Sequence, residues 1–263
     1  FPLLSKIDYA INNLQEIINQ SCQPTDKWFF ARGAWVIDIG YIEQLQQNTW
    51  YSHLPMPFQD FVIQHSKQKW IEKNTAVFHA QDIFDGVYCV LEGSISLSYI
   101  DIHGNERIAA IAEPIMWFGE ISLIDQQPRS HDAIALKKSL VLHIPAEPLK
   151  QLLIQQPTYW YYFALLTSQK LRYLFLEKIA IQTQKMAQRL AQKLLFILEG
   201  YGNRRSIQDF IIHISQDQLA NMVTVSRQTV NQELNLLEKQ AIIDVGFKKI
   251  VILDFEKLKN SQI

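Results

Sequence analysis

The chain has 263 residues, 48% of them hydrophobic, and its 25 Lys and Arg against 26 Asp and Glu leave a net charge of −1. That is too apolar for disorder and long enough for two modest domains, and the near-zero charge excludes a globally basic nucleic-acid binder, so any DNA-reading face must be local. Cys22 and Cys89 are the only cysteines, which excludes a disulfide framework or a four-cysteine zinc or iron–sulfur site and fits a reducing, cytoplasmic compartment.

In chain order, Ile7, Ile11, Leu14 and Ile18 stand at helical spacing and predict a short amphipathic helix over 6–18. "SCQPTD" breaks the pattern, and "KWFFARGAWVIDIG" reads as one or two strands around a turn at Arg32-Gly33. Residues 1–44 offer no assignable chemistry and are taken as an N-terminal extension of unknown role. "FPLLSK" is too short for a signal peptide. No apolar run approaches the roughly 20 residues of a membrane span, so no membrane partner is expected.

Over 45–157 the texture becomes that of a β domain. "TAVFHA", "VYCVLEG", "SISLSYI", "ERIAAIA" and "SLVLHIP" are rich in Val, Ile, Tyr and Phe and are separated by turn signals such as Asp85-Gly86 and Glu92-Gly93. Short strands at this spacing predict a barrel or roll. Pro157-Thr158, with Thr158 as N-cap, then opens a long helix over 158–200 that ends in "EGYGNRRS". Leu171, Phe175, Ile179, Met186, Leu190, Leu194 and Ile197 form one stripe along it. Periodicity alone allows two occupants for that stripe, the β domain or a second copy of the chain.

Residues 204–263 carry the clearest pattern. Ser215 followed by Gln218 predicts a capping box and a helix over Gln216–Val223. "TVS" is a tight connection, and Ser226 caps a second helix through Glu238, which is a helix-turn-helix arrangement. "IIDVGFKKIVIL" adds a hairpin wing with Gly246 at its turn. Arg227, Gln228, Asn231 and Gln232 line one exposed face suited to base edges, while Thr229, Lys248 and Lys249 suit the phosphate backbone, and the capping Ser226 is counted with them as a DNA-binding residue.

With both ends read, the chain resembles the Crp/Fnr family of bacterial transcription regulators, on "VYCVLEGSISL" and "SRQTVNQELNLLEKQAII" in that order. The resemblance implies an α+β fold: a cyclic-nucleotide-binding-like jelly roll, a long dimerisation helix and a C-terminal winged helix-turn-helix. It makes Leu171, Phe175, Ile179 and Met186 a homodimer seam. It also implies double-stranded DNA with an inverted repeat as partner, half-sites about one helical turn apart, and RNA polymerase as a further partner.

Under the same resemblance, "FGEISLIDQQPRS" (118–130) looks like a phosphate-binding cassette for a cyclic nucleotide such as cyclic AMP. Gly119, Glu120, Ile121, Ser122, Arg129 and Ser130 would line it. Gly119 permits close approach, Glu120 can accept from a ribose hydroxyl, and Arg129 offers a fork to phosphate. Tyr173 is the hydroxyl in "LRYLFL" available to hold a base. The alternative is a Glu120–Arg129 salt bridge closing an empty cassette.

Three departures from the family stand out: His131 replaces a small residue, hydroxyls are scarce near Tyr173, and Asn74, Gln81 and Ile115 stand where turn glycines are usual. No metal-ligand spacing is present, and without GKS/GKT, HExxH, GxSxG or CxxC the chain reads as a non-enzyme. A second reading is a cyclic-nucleotide-binding module that serves protein partners without specific DNA binding.

Overall fold

The computed structural model describes residues 37–204, 207 and 210–261. The helix expected over 6–18, Cys22 and the Arg32-Gly33 turn lie outside the described residues. Of the strand run expected over 27–40, only 37–40 lie within the described residues, and they are not a strand. Asp38 instead accepts from the Gly40 N–H at 2.8 Å and starts helix α1, Ile39–Leu45. Helices α2 (Thr49–Ser52) and α3 (Met56–His65) follow.

Eight strands make the roll. They are β1 (Lys67–Ile71), β2 (Ala76–Phe78), β3 (Gly86–Glu92), β4 (Ile95–Ile100), β5 (Glu106–Ala112), β6 (Trp117–Phe118), β7 (Asp132–Ala135) and β8 (Ser139–Pro145). They form two four-stranded antiparallel sheets, ordered β1-β8-β3-β6 and β2-β7-β4-β5. All five sequence-predicted runs carry strands.

Strand β3 is buried on both faces because its alternate residues serve two cores. Tyr88 and Val90 point into the roll with Phe78, Ile95 and Phe118. Val87, Cys89 and Leu91 point outward, where Trp50, Tyr51 and Phe58 of α2 and α3 cover them. Cys89 is thus a core residue, its thiol pushed well above the ordinary range by burial.

The three positions lacking glycine keep a glycine-like backbone. Asn74, Gln81 and Ile115 have φ of 62°, 71° and 70°. For the β-branched Ile115 this is strained, and its peptide is anchored on both sides. Its N–H donates to the Val90 carbonyl at 2.7 Å, and its carbonyl accepts from Asn48 Nδ2 at 2.8 Å. Asn48 is fully buried and also donates to the Asn203 carbonyl, so one side chain joins α2, the roll and the loop after the long helix.

After α4 (Ile121–Asp125) and α5 (Ala146–Gln155), the helical region departs from expectation. Thr158 lies in a 3-10 turn, and helix α6 starts at Trp160 with no side-chain cap among the described residues. The helix is not continuous to 200. It ends at Thr183, and Gln184 and Lys185 are extended before α7, Met186–Leu198, begins. The Lys185 N–H is capped by Gln188 Oε1 at 2.9 Å.

The apolar stripe is accordingly split. Leu171, Phe175 and Ile179 on α6 are 50%, 58% and 52% exposed, whereas Leu190, Leu194 and Ile197 on α7 are buried. Those α7 residues belong to the core of the C-terminal domain. That domain contains β9 (Ile211–Ile212), α8 (Gln216–Val223), α9 (Arg227–Lys239), β10 (Ile243–Gly246), β11 (Lys249–Ile252) and α10 (Phe255–Asn260).

Candidate functional site

The helix-turn-helix forms where local chemistry dictates. Ser215 Oγ accepts from the Gln218 N–H at 3.1 Å, and Gln218 Oε1 returns the favour to the Ser215 N–H at 2.9 Å. Thr224, in the left-handed region with φ 60°, turns the chain. Ser226 then caps α9 by accepting from the Thr229 N–H at 3.1 Å, and its hydroxyl also meets Thr229 Oγ1 at 2.9 Å.

Val230, Leu234 and Leu237 bury one face of α9. On the flank of that face Arg227, Asn231 and Asn235 follow one another at i, i+4, and Gln228, Gln232 and Lys239 lie opposite it. Asn231 Nδ2 donates to Gln216 Oε1 at 3.1 Å and Asn235 Nδ2 to Asn231 Oδ1 at 2.8 Å, so the amides are oriented in advance. Arg227 pairs with Asp217 at 3.4 Å, but both side chains are about two-thirds exposed, and such a pair is worth at most ~1 kcal/mol. Arg227 is free to leave. Asn235 and Lys239 were missed in the sequence, although continuing the i, i+4 count from Asn231 would have found Asn235.

Wing strands β10 and β11 pair Gly246 with Lys249, which corrects the turn: it consists of Phe247 and Lys248, and Gly246 is a paired strand residue. Glu238 Oε1 accepts from the Val245 N–H at 3.0 Å and moors the wing to α9.

In the cassette, Gly119 has φ +89° and a Cβ there would sit 2.8 Å from Arg129 Nη1. Arg129 is 1% exposed. Its Nη1 donates to the Gly119 carbonyl at 2.8 Å, and its Nη2 donates to the Gly86 carbonyl at 2.6 Å and Asp85 Oδ1 at 2.5 Å. Phe78 and Phe84 flank the guanidinium at 4.2 and 4.9 Å. Burial opposes ionisation of Asp85, but hydrogen bonds from Tyr88 and Arg129 outweigh it and hold the carboxyl below its ordinary range.

The expected Glu120–Arg129 bridge is not made. Glu120, 1% exposed, pairs instead with Lys170 of α6 at 2.7 Å. Ser122 is buried, Ile121 is 39% exposed, and the exposed Ser130 meets His131 Nδ1 at 2.9 Å. Tyr173 does not reach the cassette. It turns toward Phe196 and Tyr201, and its hydroxyl donates to Glu199 Oε2 at 3.3 Å.

The fit to a cyclic nucleotide is therefore divided. Arg129 Nε and His131 Nε2 are buried without hydrogen-bond partners among the described residues, as a site for an oxyanion requires. The ribose acceptor Glu120 is already neutralised by Lys170, and the hydroxyl expected for the base points elsewhere. Arg129 likewise has its Nη1 and Nη2 engaged by Gly119, Gly86 and Asp85, which leaves Nε as its unpartnered donor among the described residues.

The two halves of the chain are tied together at β5, an edge strand. Asn221 of α8 accepts from the Ile108 N–H at 2.7 Å and donates to the Glu106 carbonyl at 2.6 Å, taking the place of a neighbouring strand. Nearby, Lys193 of α7 is buried against Glu177 of α6 at 2.6 Å. Among the described residues no helix is long and apolar enough to cross a membrane.

Residues 68–156 match the cyclic nucleotide-binding domain family, and residues 188–261 match the Crp-like helix-turn-helix domain. The cyclic AMP receptor protein of Thermus thermophilus is 26% identical over 188 residues, covering 71% of this chain and 84% of the relative. Transcriptional regulator SdrP of the same organism is 28% identical over 196 residues, covering 71% and 93%. The structure of FixK2 from Bradyrhizobium japonicum superposes with a TM-score of 0.66 at 17% identity, over 75% of this chain and 98% of that one, which supports the fold. A nucleotide-binding-type roll followed by a helix-turn-helix of the Crp type makes this chain a transcription regulator of the Crp/Fnr family.

Proposed function

We propose that the chain acts as a homodimer that reads an inverted repeat in double-stranded DNA, with the base contacts made by Arg227, Gln228, Asn231 and Gln232 and extended by Asn235. The single observation that carries this reading is the polar side of α9, where Arg227, Gln228, Gln232 and Asn235 are exposed and the half-buried Asn231 is oriented by Gln216. Ser226, Thr229, Lys248 and Lys249 serve the backbone. Exposed Leu171, Leu174, Phe175 and Ile179 on α6 supply an apolar face for the second protomer, of the kind that marks an interface. Met186, beyond the break at the start of α7, is half-buried against the core and is not part of that exposed face. RNA polymerase is the further partner, and the cytoplasm the compartment, that such a regulator requires.

The test is a gel shift on a duplex selected from a random pool by the wild-type chain. A bidentate arginine–guanine pair is worth about 1–3 kcal/mol, so Arg227→Ala should weaken binding about five- to 150-fold and relax sequence preference at one position per half-site. Equal affinity for every duplex would sink the reading.

A second reading concerns the effector. The unpartnered Arg129 Nε supports a phosphate-bearing ligand, and a cyclic nucleotide would enter only by displacing Lys170 from Glu120. Calorimetric titration with cyclic AMP and cyclic GMP decides it, with Lys170→Met as the informative variant. Binding that tightens when Lys170 is removed supports the reading, and no heat from either protein with either nucleotide overturns it.

A further inference from the structure

The tip of the wing combines three features that folding alone does not favour. Phe247 is 90% exposed, and the hairpin has no core beyond Ile243, Ile250 and Ile252 against which the ring could pack. Lys248 occupies the left-handed region with φ 52°, a conformation that hairpin turns usually assign to Asn or Gly. Lys249 follows immediately, so two cations come directly after one aromatic ring, and Lys248 Nζ lies 5.4 Å from the ring centroid. A local breach of turn chemistry with no packing gain is what a functional contact leaves behind.

The mooring of the wing gives the tip its direction of use. Glu238, near the C-terminal end of α9, holds the Val245 N–H, so the hairpin projects from the side of the same helix whose polar face is exposed. A helix seated in the major groove leaves a minor groove on either side. An exposed ring at the tip with two phosphate-seeking lysines directly after it suits that groove, where Phe can enter between base steps and kink the duplex. The short reach of a two-residue turn confines the ring to one step per half-site.

We infer that Phe247 is a minor-groove wedge, unstacking one base step at the flank of each half-site while Lys248 and Lys249 hold the adjoining phosphates. This inference rests on the DNA-binding reading above. It adds a contact that reads deformability, favouring pyrimidine–purine steps, which unstack easily.

The experiment uses the full chain and a duplex selected by the wild type from a random pool. 2-Aminopurine is placed in turn at each step flanking the half-sites, and the bend is followed by energy transfer between end labels. Wild-type protein should raise 2-aminopurine fluorescence at one flanking step per half-site and bend the duplex. Phe247→Ala, which removes a ring that packs on no core, should abolish that signal, reduce the bend and weaken binding about tenfold or more, as loss of an aromatic–base stack does. Phe247→Trp should retain the signal, and Lys248→Ala should reduce the salt dependence of binding while leaving the signal in place. The inference is overturned if Phe247→Ala binds within twofold of wild type with the same fluorescence and bend, or if it loses affinity while no flanking step is unstacked by the wild type. Failure of the selection to return any preferred duplex would instead overturn the DNA-binding reading beneath it.

Discussion

Replacing Arg129 with alanine should damage the roll itself as well as any ligand site. The side chain is 1% exposed and makes hydrogen bonds to Gly119, Gly86 and Asp85 at 2.8, 2.6 and 2.5 Å. Removing it leaves two carbonyls without their donor and Asp85 without its counter-charge. Asp85 is 51% exposed, so water recovers much of its charge, while the carbonyls recover little. A charged hydrogen bond contributes about 1.5–3 kcal/mol, and breaking a buried pair costs about 3–5 kcal/mol. The lower part of that second range, about 3–4 kcal/mol, follows from the half-solvated carboxylate. At roughly 2–4 °C per kcal/mol for a domain of this size the melting transition should fall by about 6–16 °C. Urea titration and a thermal scan, followed by the near-ultraviolet signal of the Trp50–Trp117 pair 5.1 Å apart in the outer core, measure it. A change below about 1 kcal/mol would refute the argument that Arg129 holds the cassette together. Arg129→Ala is accordingly a poor control for ligand binding, which is why Lys170→Met is preferred.

Two further outcomes follow from backbone strain and titration. Gln81 is exposed at φ 71°, and relieving a left-handed L-residue worth about 1–2 kcal/mol outweighs the extra unfolded-state freedom of glycine, about 0.4–1 kcal/mol. Gln81→Gly should therefore stabilise the chain by about 0.5–1 kcal/mol in urea titration, and any loss of stability would count against it. Burial first, and the Lys170 charge second, lower the pKa of His131 below its ordinary value. The unfolded chain then takes up this proton first, so the stability associated with neutral His131 is full above about pH 6.5 and is lost as the pH falls below it. His131→Phe should flatten the decline in stability between about pH 7 and 5; a pH profile parallel to wild type would contradict the assignment. His143, also lowered by burial, supplies a residual slope.

Many local signals were legible in the sequence, although the Thr158 cap and the turn at Gly246 were misplaced. The capping boxes and turn residues placed α8 and the start of α9 to the residue, whereas the turns expected to change at Asn74, Gln81 and Ile115 for want of glycine keep a left-handed backbone. Long-range partners were not legible. Asp85 lies 44 residues before Arg129 and Lys170 lies 50 after Glu120, and no periodicity links residues brought together only by the closing of a roll. Strand β6 has two residues, too few to show alternation. The break at Gln184-Lys185 occurs in "IQTQKMAQ", which contains neither proline nor glycine. It is set by the packing of α7 into the C-terminal core, a tertiary demand that overrides helix propensity.

The Asn221 bridge to β5 has a consequence for how freely the two halves can part. Asn221 fills the hydrogen-bonding row at the open side of a sheet, the place where a foreign chain would otherwise add itself. Releasing it gives up two hydrogen bonds at about 1 kcal/mol each, so this side chain alone biases the docked arrangement over the parted one by a factor of about 30. Each excursion of the reading head would also bare the Glu106–Ile108 backbone. A regulator built this way has a preferred resting posture, and departure from it uncovers a strand edge able to recruit another copy.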